Sequence, residues 1–352
     1  MEKISVHCSR EYDVLIGNGI LKDAGEYIAR IFHKDTAFIV SDDNVFRLYG
    51  ETLRNSLTSA GFKTAEFVFS HGEINKNLPT YASLMETMCQ MHISRSSFIV
   101  ALGGGVVGDL AGFAAATYQR GIPFVQIPTS LLAAVDASVG GKTAVDLQSG
   151  KNQVGCFHQP SLVLCDTGTL ATLPEDEYCC GCAEIIKYAM IGSDALFSEI
   201  MNVPVSGQYD HVIAACVKMK RDYVEQDEFD RGCRMLLNFG HTFGHAAEAC
   251  SGFSLLHGQA VAMGMAAITK AACAFGICSQ ATLDDLLALL SKYELPQSIP
   301  FPAAEMLQKI LADKKFSGDH IRLIVPERIG KCRIESVLGD ELINWLKSGG
   351  LK

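Results

Sequence analysis

The sequence predicts an α/β domain of Rossmann-like type followed by a mainly α-helical domain. Three observations lead there. Over residues 1–174 short β-branched runs alternate with helix-period stretches, the pattern of a parallel sheet with crossover helices. A glycine-rich turn follows one of those runs. From about residue 173 the β-rich runs give way to helical patterns. With 352 residues the chain is long for one ordinary core and sufficient for two. The boundary is expected near Pro174, with an α/β domain over 1–174 and a helical domain over 175–352.

Strands are expected at 5–8, 12–16, 37–41, 64–69, 98–103, 124–128 and 161–166, with helices such as 44–60 and 81–91 between them. Thr172, three residues ahead of Glu175, reads as the cap of the first helix of the second domain. The rest is helical apart from a hairpin expected at 321–325 and 331–334. The apolar stretch 253–278 contains His257, Gln259 and Lys270 among small residues, which suits a buried core helix and not a membrane span.

Composition narrows the class. The chain is 48% apolar and 20% charged, with 32 Gly and 10 Pro, which excludes a mainly disordered or collagen-like chain. Its net charge of −9 argues against a nucleic-acid-backbone binder and makes any inward cluster of Lys and Arg informative. The first residues lack the apolar core of a signal peptide. The 13 cysteines, an odd number scattered through apolar stretches, read as reduced thiols of a cytoplasmic protein.

The glycine turn is Gly103-Gly104-Gly105-Val106-Val107-Gly108-Asp109, between the strand at 98–103 and an apolar helix. Such a turn lets a pyrophosphate approach backbone N–H groups at a helix start. The usual supporting acid some twenty residues on is missing, since the next strand ends in Pro128-Thr129-Ser130. Asp42, at the end of an earlier strand, is the nearest substitute for binding ribose hydroxyls. Gly140-Gly141-Lys142-Thr143 resembles the tail of a P-loop, but Asp136 stands where the first glycine is required, so no NTPase is expected. Lys142 and Lys151 remain candidate phosphate ligands, with Asn152 beside them.

His241 and His245 fall at i and i+4 on one helical face, His257 opens the next apolar stretch, and Glu184 lies in the helix at 183–188. Three imidazoles and a carboxylate in apolar helices are costly to bury alone, and a divalent cation would satisfy them. Cys179, Cys180 and Cys182 read as small buried residues, because no second cysteine pair follows at finger-like spacing.

Together the glycine turn, Tyr118-Gln119-Arg120-Gly121, and the segments 126–136, 138–142, 150–152, 183–188 and 237–245 resemble the 3-dehydroquinate synthases of the sugar-phosphate cyclase superfamily. These motifs run in order from about residue 72 to 330. The resemblance implies a Rossmann-like domain and a helical domain with the active site in the cleft between them. It implies a cytosolic homodimer using NAD+ and one divalent metal, Zn2+ or Co2+. The implied substrate is an anionic sugar phosphate, 3-deoxy-D-arabino-heptulosonate 7-phosphate. It becomes 3-dehydroquinate and phosphate, the second step of the shikimate pathway, through transient oxidation, phosphate elimination, re-reduction and aldol closure.

Carried over by position, the resemblance makes Glu184, His241 and His257 the metal ligands and His245 a catalytic histidine. It assigns NAD+ to Asp42, Gly72, Glu73, Lys76, Gly103, Gly104, Gly105, Val106, Val107, Gly108, Asp109, Thr129, Ser130, Lys142, Lys151, Thr169 and Thr172. It assigns substrate to Asp136, Lys142, Asn152, Lys187, Lys220, Arg234, Asn238, His245 and one of Lys314 and Lys315. Arg120 resembles an arginine that reaches the phosphate in the neighbouring subunit. A phosphate and a carboxylate on one substrate would need such a collection of cations in an otherwise acidic chain.

Two departures stand out. The family's Asp-Glu-Arg-Glu is here Asp227-Glu228-Phe229-Asp230, and the cysteines near Glu184 raise the expectation of oxidant-sensitive activity. Two rivals share many of these features. Related cyclases act on substrates without the carboxylate, so Arg234, Asn238 and the late lysine discriminate against them. A metal-dependent alcohol or glycerol dehydrogenase would release NADH.

Overall fold

A computed structural model describes residues 1–33, 35–312 and 320–352; the expected lysines Lys314 and Lys315 lie outside the described residues. In chain order the first elements are β1 (Glu2–Val6), β2 (Tyr12–Gly17), α1 (Ala24–Ala29), β3 (Thr36–Asp42), α2 (Asp43–Val45), α3 (Glu51–Ser59), β4 (Lys63–Phe69) and α4 (Leu78–Gln90). They continue with β5 (Phe98–Gly103), α5 (Gly105–Thr117), β6 (Phe124–Pro128), β7 (Lys142–Leu147), β8 (Gly150–Phe157) and β9 (Leu162–Asp166). Then come α6 (Glu175–Gly192), α7 (Asp194–Asn202), α8 (Tyr209–Gln226), α9 (His241–Cys250) and α10 (His257–Ala274). The last are α11 (Gln280–Lys292), α12 (Ala303–Ala312), β10 (His320–Arg328), β11 (Lys331–Leu338) and α13 (Leu342–Ser348).

Internal contacts divide the chain into two units, 1–174 with 209–229, and 175–208 with 230–352. The sequence reading placed α8 with the helical domain. Its contacts place it on the first unit, where the His7 N–H donates to Glu225 Oε1 at 2.7 Å and Thr167 Oγ1 donates to Asp210 Oδ1 at 2.6 Å. Helical periodicity reports that α8 has an apolar face, not which sheet covers it.

In the first unit, seven strands form one sheet in the order β1-β2-β9-β6-β5-β3-β4. All neighbours are parallel except β1 with β2. The inner strands are apolar on both faces because helices cover both. Phe38, Val40, Ile99 and Ala101 pack with Leu84 of α4 and Leu110 of α5. Their chain neighbours Ala37, Ile39, Phe98 and Val100 pack on the other face with Ile28 of α1 and Leu53 of α3. From β3 the chain moves outward to β4, and from β5 it moves the other way to β6. The crevice at the carboxyl ends of β3 and β5 is therefore the switch point where such sheets bind ligands. Strands β7 and β8 form a separate antiparallel hairpin that the sequence reading did not anticipate.

In the second unit, α9 and α10 approach at glycines. A Cβ on Gly264 would lie 2.0 Å from the Gly240 carbonyl oxygen, and one on Gly258 would lie 2.3 Å from Cys180 Cα of α6. These contacts fix three helices whose sequence-distant residues converge. The stretch read as a core helix forms α10, and among the described residues no helix is long and apolar enough to cross a membrane. Thr172 is not the cap of α6. It ends the 3-10 turn Thr167–Thr172, and its hydroxyl bonds to the Thr169 carbonyl and the Tyr49 hydroxyl.

Candidate functional site

The glycine turn sits at the switch point of the first unit. Gly104 precedes α5 without a side-chain cap, leaving the first N–H groups of the helix unoccupied by side-chain oxygens. The glycines have different tasks. A Cβ on Gly103 would lie 2.5 Å from Val107 Cγ2 and one on Gly108 2.7 Å from Gln126 Oε1, so these two permit packing. One on Gly105 would find only Ala137 Cβ at 3.6 Å, an ordinary contact, so packing does not require glycine there. Val106 and Val107 follow Gly105 in the first turn of the helix, and Val107 is buried in the core.

Asp42 ends β3, the strand beside β5. Asp42 thus stands at a strand end next to the glycine turn, the place in space where an ordinary fingerprint carries its acid. Its Oδ1 accepts from the N–H groups of Asn44 at 3.0 Å and Val45 at 2.9 Å. Burial raises its carboxyl above the ordinary value against those two hydrogen bonds. Thr129 and Ser130 follow β6, and the Thr129 N–H donates to the Gly103 carbonyl at 3.0 Å. Thr169 and Thr172 are fastened by Tyr49, whose hydroxyl donates to the Thr169 carbonyl at 3.0 Å and lies 2.6 Å from Thr172 Oγ1.

Lys76, 4% exposed, gathers three carboxylates: Glu73 Oε1 at 2.7 Å, Asp109 Oδ2 at 3.4 Å and Asp146 Oδ1 at 3.7 Å. Burial works against its charge, but Asp109, Glu73 and Asp146 outweigh it and hold the ammonium protonated well beyond the ordinary range. Burial in turn pushes Asp109 up to about 6 despite Lys76. Gly72, at φ +97°, makes the turn that starts this segment. The hairpin brings Lys142, Lys151 and Asn152 to one β-ribbon, with Asn152 in the left-handed region at φ +55°. Lys220 of α8 pairs with the Asp136 carboxylate and donates to the Asp136 carbonyl at 2.5 Å. Arg120 is exposed on a tight turn, Gln119 and Arg120 both having positive φ, and the turn is tied down by Tyr118 OH donating to the Ile93 carbonyl at 2.9 Å.

In the second unit, Glu184 from α6, His241 from α9 and His257 from α10 converge. The Glu184 carboxylate is 0% exposed, with Oε1 3.5 Å from His241 Nε2 and 3.4 Å from His257 Nε2. A tetrahedron with bonds of about 2.1 Å has edges of about 3.4 Å, so these donors are already spaced as zinc-type ligands. The residues therefore fit a divalent cation. The other nitrogen of each imidazole is engaged: His241 Nδ1 bonds the Phe239 carbonyl at 3.1 Å, and His257 Nδ1 faces Glu248 Oε1 at 3.5 Å. Burial lowers His241 to about 4, keeping it neutral and available to a metal. Burial also disfavours charge on His257, but Glu184 and Glu248 outweigh it and raise its affinity for a proton.

His245 does not join that set. Its ring stands 5.3 Å from His241 and 5.9 Å from His257, and with Glu248 and His257 it forms a second group of potential donors. Lys187, one turn beyond Glu184 on α6, pairs with the Glu184 carboxylate. Arg234, 2% exposed, and Asn238 stand on the 3-10 turn Cys233–Asn238 ahead of α9. The 13 cysteines are thiols with no disulfide among the described residues; Cys180 and Cys182 are buried, with burial pushing the Cys180 thiol up to about 11. Glu248 and Asp146 also contact site residues without being among those expected from the sequence. The spacing of Glu248, three residues after His245 on one helical face, was the available signal.

Family models for the 3-dehydroquinate synthase N-terminal and C-terminal regions match residues 66–180 and 181–316. The chain is 41% identical over 350 residues to the 3-dehydroquinate synthase of Enterococcus faecalis, covering 97% of this chain and 98% of that one. Among solved structures it resembles 2-deoxy-scyllo-inosose synthase complexed with carbaglucose-6-phosphate, NAD+ and Co2+, with a TM-score of 0.89 at 26% identity over 99% of this chain and 100% of that one. It also resembles 2-epi-5-epi-valiolone synthase of Streptomyces hygroscopicus subsp. jinggangensis with NAD+ and Zn2+ bound, with a TM-score of 0.89 at 28% identity over 99% of each chain. The chain belongs to the 3-dehydroquinate synthase family.

Proposed function

We propose that this chain is a 3-dehydroquinate synthase. It is a phosphorus–oxygen lyase that converts 3-deoxy-D-arabino-heptulosonate 7-phosphate to 3-dehydroquinate and phosphate, with NAD+ and one Zn2+ or Co2+ as cofactors. The observation that carries the reading is the buried Glu184 carboxylate within 3.5 Å of His241 and 3.4 Å of His257, in a chain of this family. When bound, NAD+ supplies a hydride acceptor and the cation supplies Lewis acidity toward substrate hydroxyls.

The chain's own groups do the rest. Gly104 and Gly105 leave the start of α5 open to a pyrophosphate, and Asp42 accepts hydrogen bonds from ribose hydroxyls. Glu184, His241 and His257 would hold the cation, with Glu248 and the Phe239 carbonyl fixing the two rings. Lys142 and Asn152 hold the substrate phosphate. Lys220, Arg234 and Asn238 hold the carboxylate and neighbouring oxygens. His245 accepts and returns a proton beside the reacting carbon. The exposed Arg120 suits a contact to a second copy's substrate in a homodimer, and cysteines held as thiols suit a reducing cytoplasm.

The test is to supply metal-loaded protein with NAD+ and the heptulosonate phosphate, and to follow phosphate and NADH together. Phosphate released without net NADH, with dehydroquinate found by mass, is the expected result. NADH accumulating from a simple alcohol or glycerol, with no phosphate released, would overturn the reading.

A further inference from the structure

Asp146 occupies an irregular position in the hairpin. The β7–β8 register shifts between Val145 and Leu147, where Asp146 alone stands opposite Lys151, Asn152 and Gln153, so the bulge lies on β8 and includes Asn152. A bulge disrupts the ladder locally, so the residue opposite it is free to pair elsewhere. Asp146 here pairs instead with the segment that follows the glycine of Gly72–Lys76: its N–H donates to the Lys76 carbonyl at 2.8 Å, and it bridges to Asn77. Its Oδ1 then makes two further contacts. It accepts the Asn152 N–H at 2.7 Å and lies 3.7 Å from Lys76 Nζ.

Asn152 needs that acceptor. Its φ of +55° lies in the left-handed region, which Asn visits more readily than other residues but still at a cost, and its own neighbourhood on the hairpin is exposed and lacks a core to impose the conformation. A carboxylate accepting its N–H is the contact that holds this backbone in place. Lys76 in turn is anchored by Glu73 and Asp109, the latter on α5 beside the glycine turn. One carboxylate therefore joins the Lys76 segment to the hairpin turn bearing Lys151 and Asn152.

We propose that Asp146 is a positioning residue that holds Asn152 in its left-handed conformation and locks the phosphate-binding hairpin to the Lys76 segment. This rests on the roles given above to Lys76 and Asn152. Its two jobs are chemically separable. Asp146→Asn keeps an oxygen for the Asn152 N–H but loses the charge toward Lys76, whereas Asp146→Ala loses both.

The experiment compares both variants with the wild type by hydrogen exchange of the 148–153 backbone and by steady-state kinetics with the heptulosonate phosphate. For Asp146→Ala we expect faster exchange at Asn152 and a substrate KM raised about tenfold or more. For Asp146→Asn we expect protection and KM to be restored to within about threefold of the wild type. Unchanged exchange and KM in Asp146→Ala, or an Asp146→Asn variant as impaired as Asp146→Ala, would overturn the proposal. Exchange reads the positioning directly, whatever the reaction proves to be. A wild type that does not release phosphate would count against the functional reading alone.

Discussion

His257 Nδ1 lies 3.5 Å from the carboxylate Oε1 of Glu248, a side chain only 2% exposed. A buried carboxylate on the far nitrogen of an imidazole keeps the proton there and leaves the opposite nitrogen for a cation. His241 achieves the same through a backbone carbonyl, which no substitution can remove. The two imidazoles are therefore unequal in how far the sequence can tune them.

Replacing Glu248 should thus weaken metal binding without touching a ligand. Glu248→Ala is expected to lower affinity for Zn2+ by about 10–100-fold, and Glu248→Gln, which keeps an acceptor, by less. Competition with a chelator measures this, and the absorption spectrum of the Co2+ form reports whether the ligand set survives. Equal affinities in wild type and Glu248→Ala would show that the carboxylate does not orient His257.

The glycines of the nucleotide turn should separate into two classes. Gly105→Ala places a methyl 3.6 Å from Ala137, an ordinary contact, so thermal stability should hold while NAD+ affinity falls by about tenfold or more. Gly103→Ala drives a methyl to 2.5 Å from Val107 Cγ2 in the core, so it should cost about 1–3 kcal/mol of stability. Thermal melting with and without NAD+ distinguishes them. A Gly105→Ala protein that binds NAD+ as tightly as wild type would mean that no ligand approaches α5 there.

What the sequence revealed and concealed follows from packing. Strands β3, β5, β6 and β9 were legible because both faces are covered, so their residues are continuous apolar runs. The β7–β8 hairpin was not, because β8 is half-buried or exposed throughout and its first half reads Gly, Lys, Asn and Gln without an apolar run or a clean alternation. Spacing alone offered Glu184, His241, His245 and His257 together, and only the family resemblance singled out Glu184, His241 and His257 as candidate ligands. Asp146 left no such trace, because it acts across the hairpin on Asn152, whereas Glu248 was signalled only by its spacing from His245 and reaches the site through His257. Lys220 could be named as a site residue, yet its pairing with Asp136 and the return of α8 to the first unit leave no trace in periodicity.

The thiols near Glu184 should prove unreactive, against the expectation of oxidant sensitivity. Burial raises all three, Cys180 to about 11, so the thiolate fraction at neutral pH is small. Native alkylation with iodoacetamide, read by mass spectrometry, should label exposed Cys89 before Cys180 or Cys182. Rapid labelling of Cys180 with parallel loss of bound metal would restore the idea of a redox-sensitive centre.

Asp109 should leave a signature in the pH dependence of stability. Its carboxyl is raised from 3.8 to about 6, chiefly by burial. Between those values the folded chain keeps a proton that the unfolded chain has lost, so stability falls as pH rises through the window and stays lower above it. A rise of that size corresponds to roughly 3 kcal/mol, reduced by the solvent that reaches a side chain 20% exposed. Asp109→Asn removes the titration and keeps an oxygen near Lys76. Its stability relative to wild type should therefore improve from pH 4 to pH 6 and then level off, as followed by urea midpoints without ligands. A difference that stays flat across that range, or shrinks, would mean that Lys76 compensates the buried carboxylate fully and that the cluster carries no net strain.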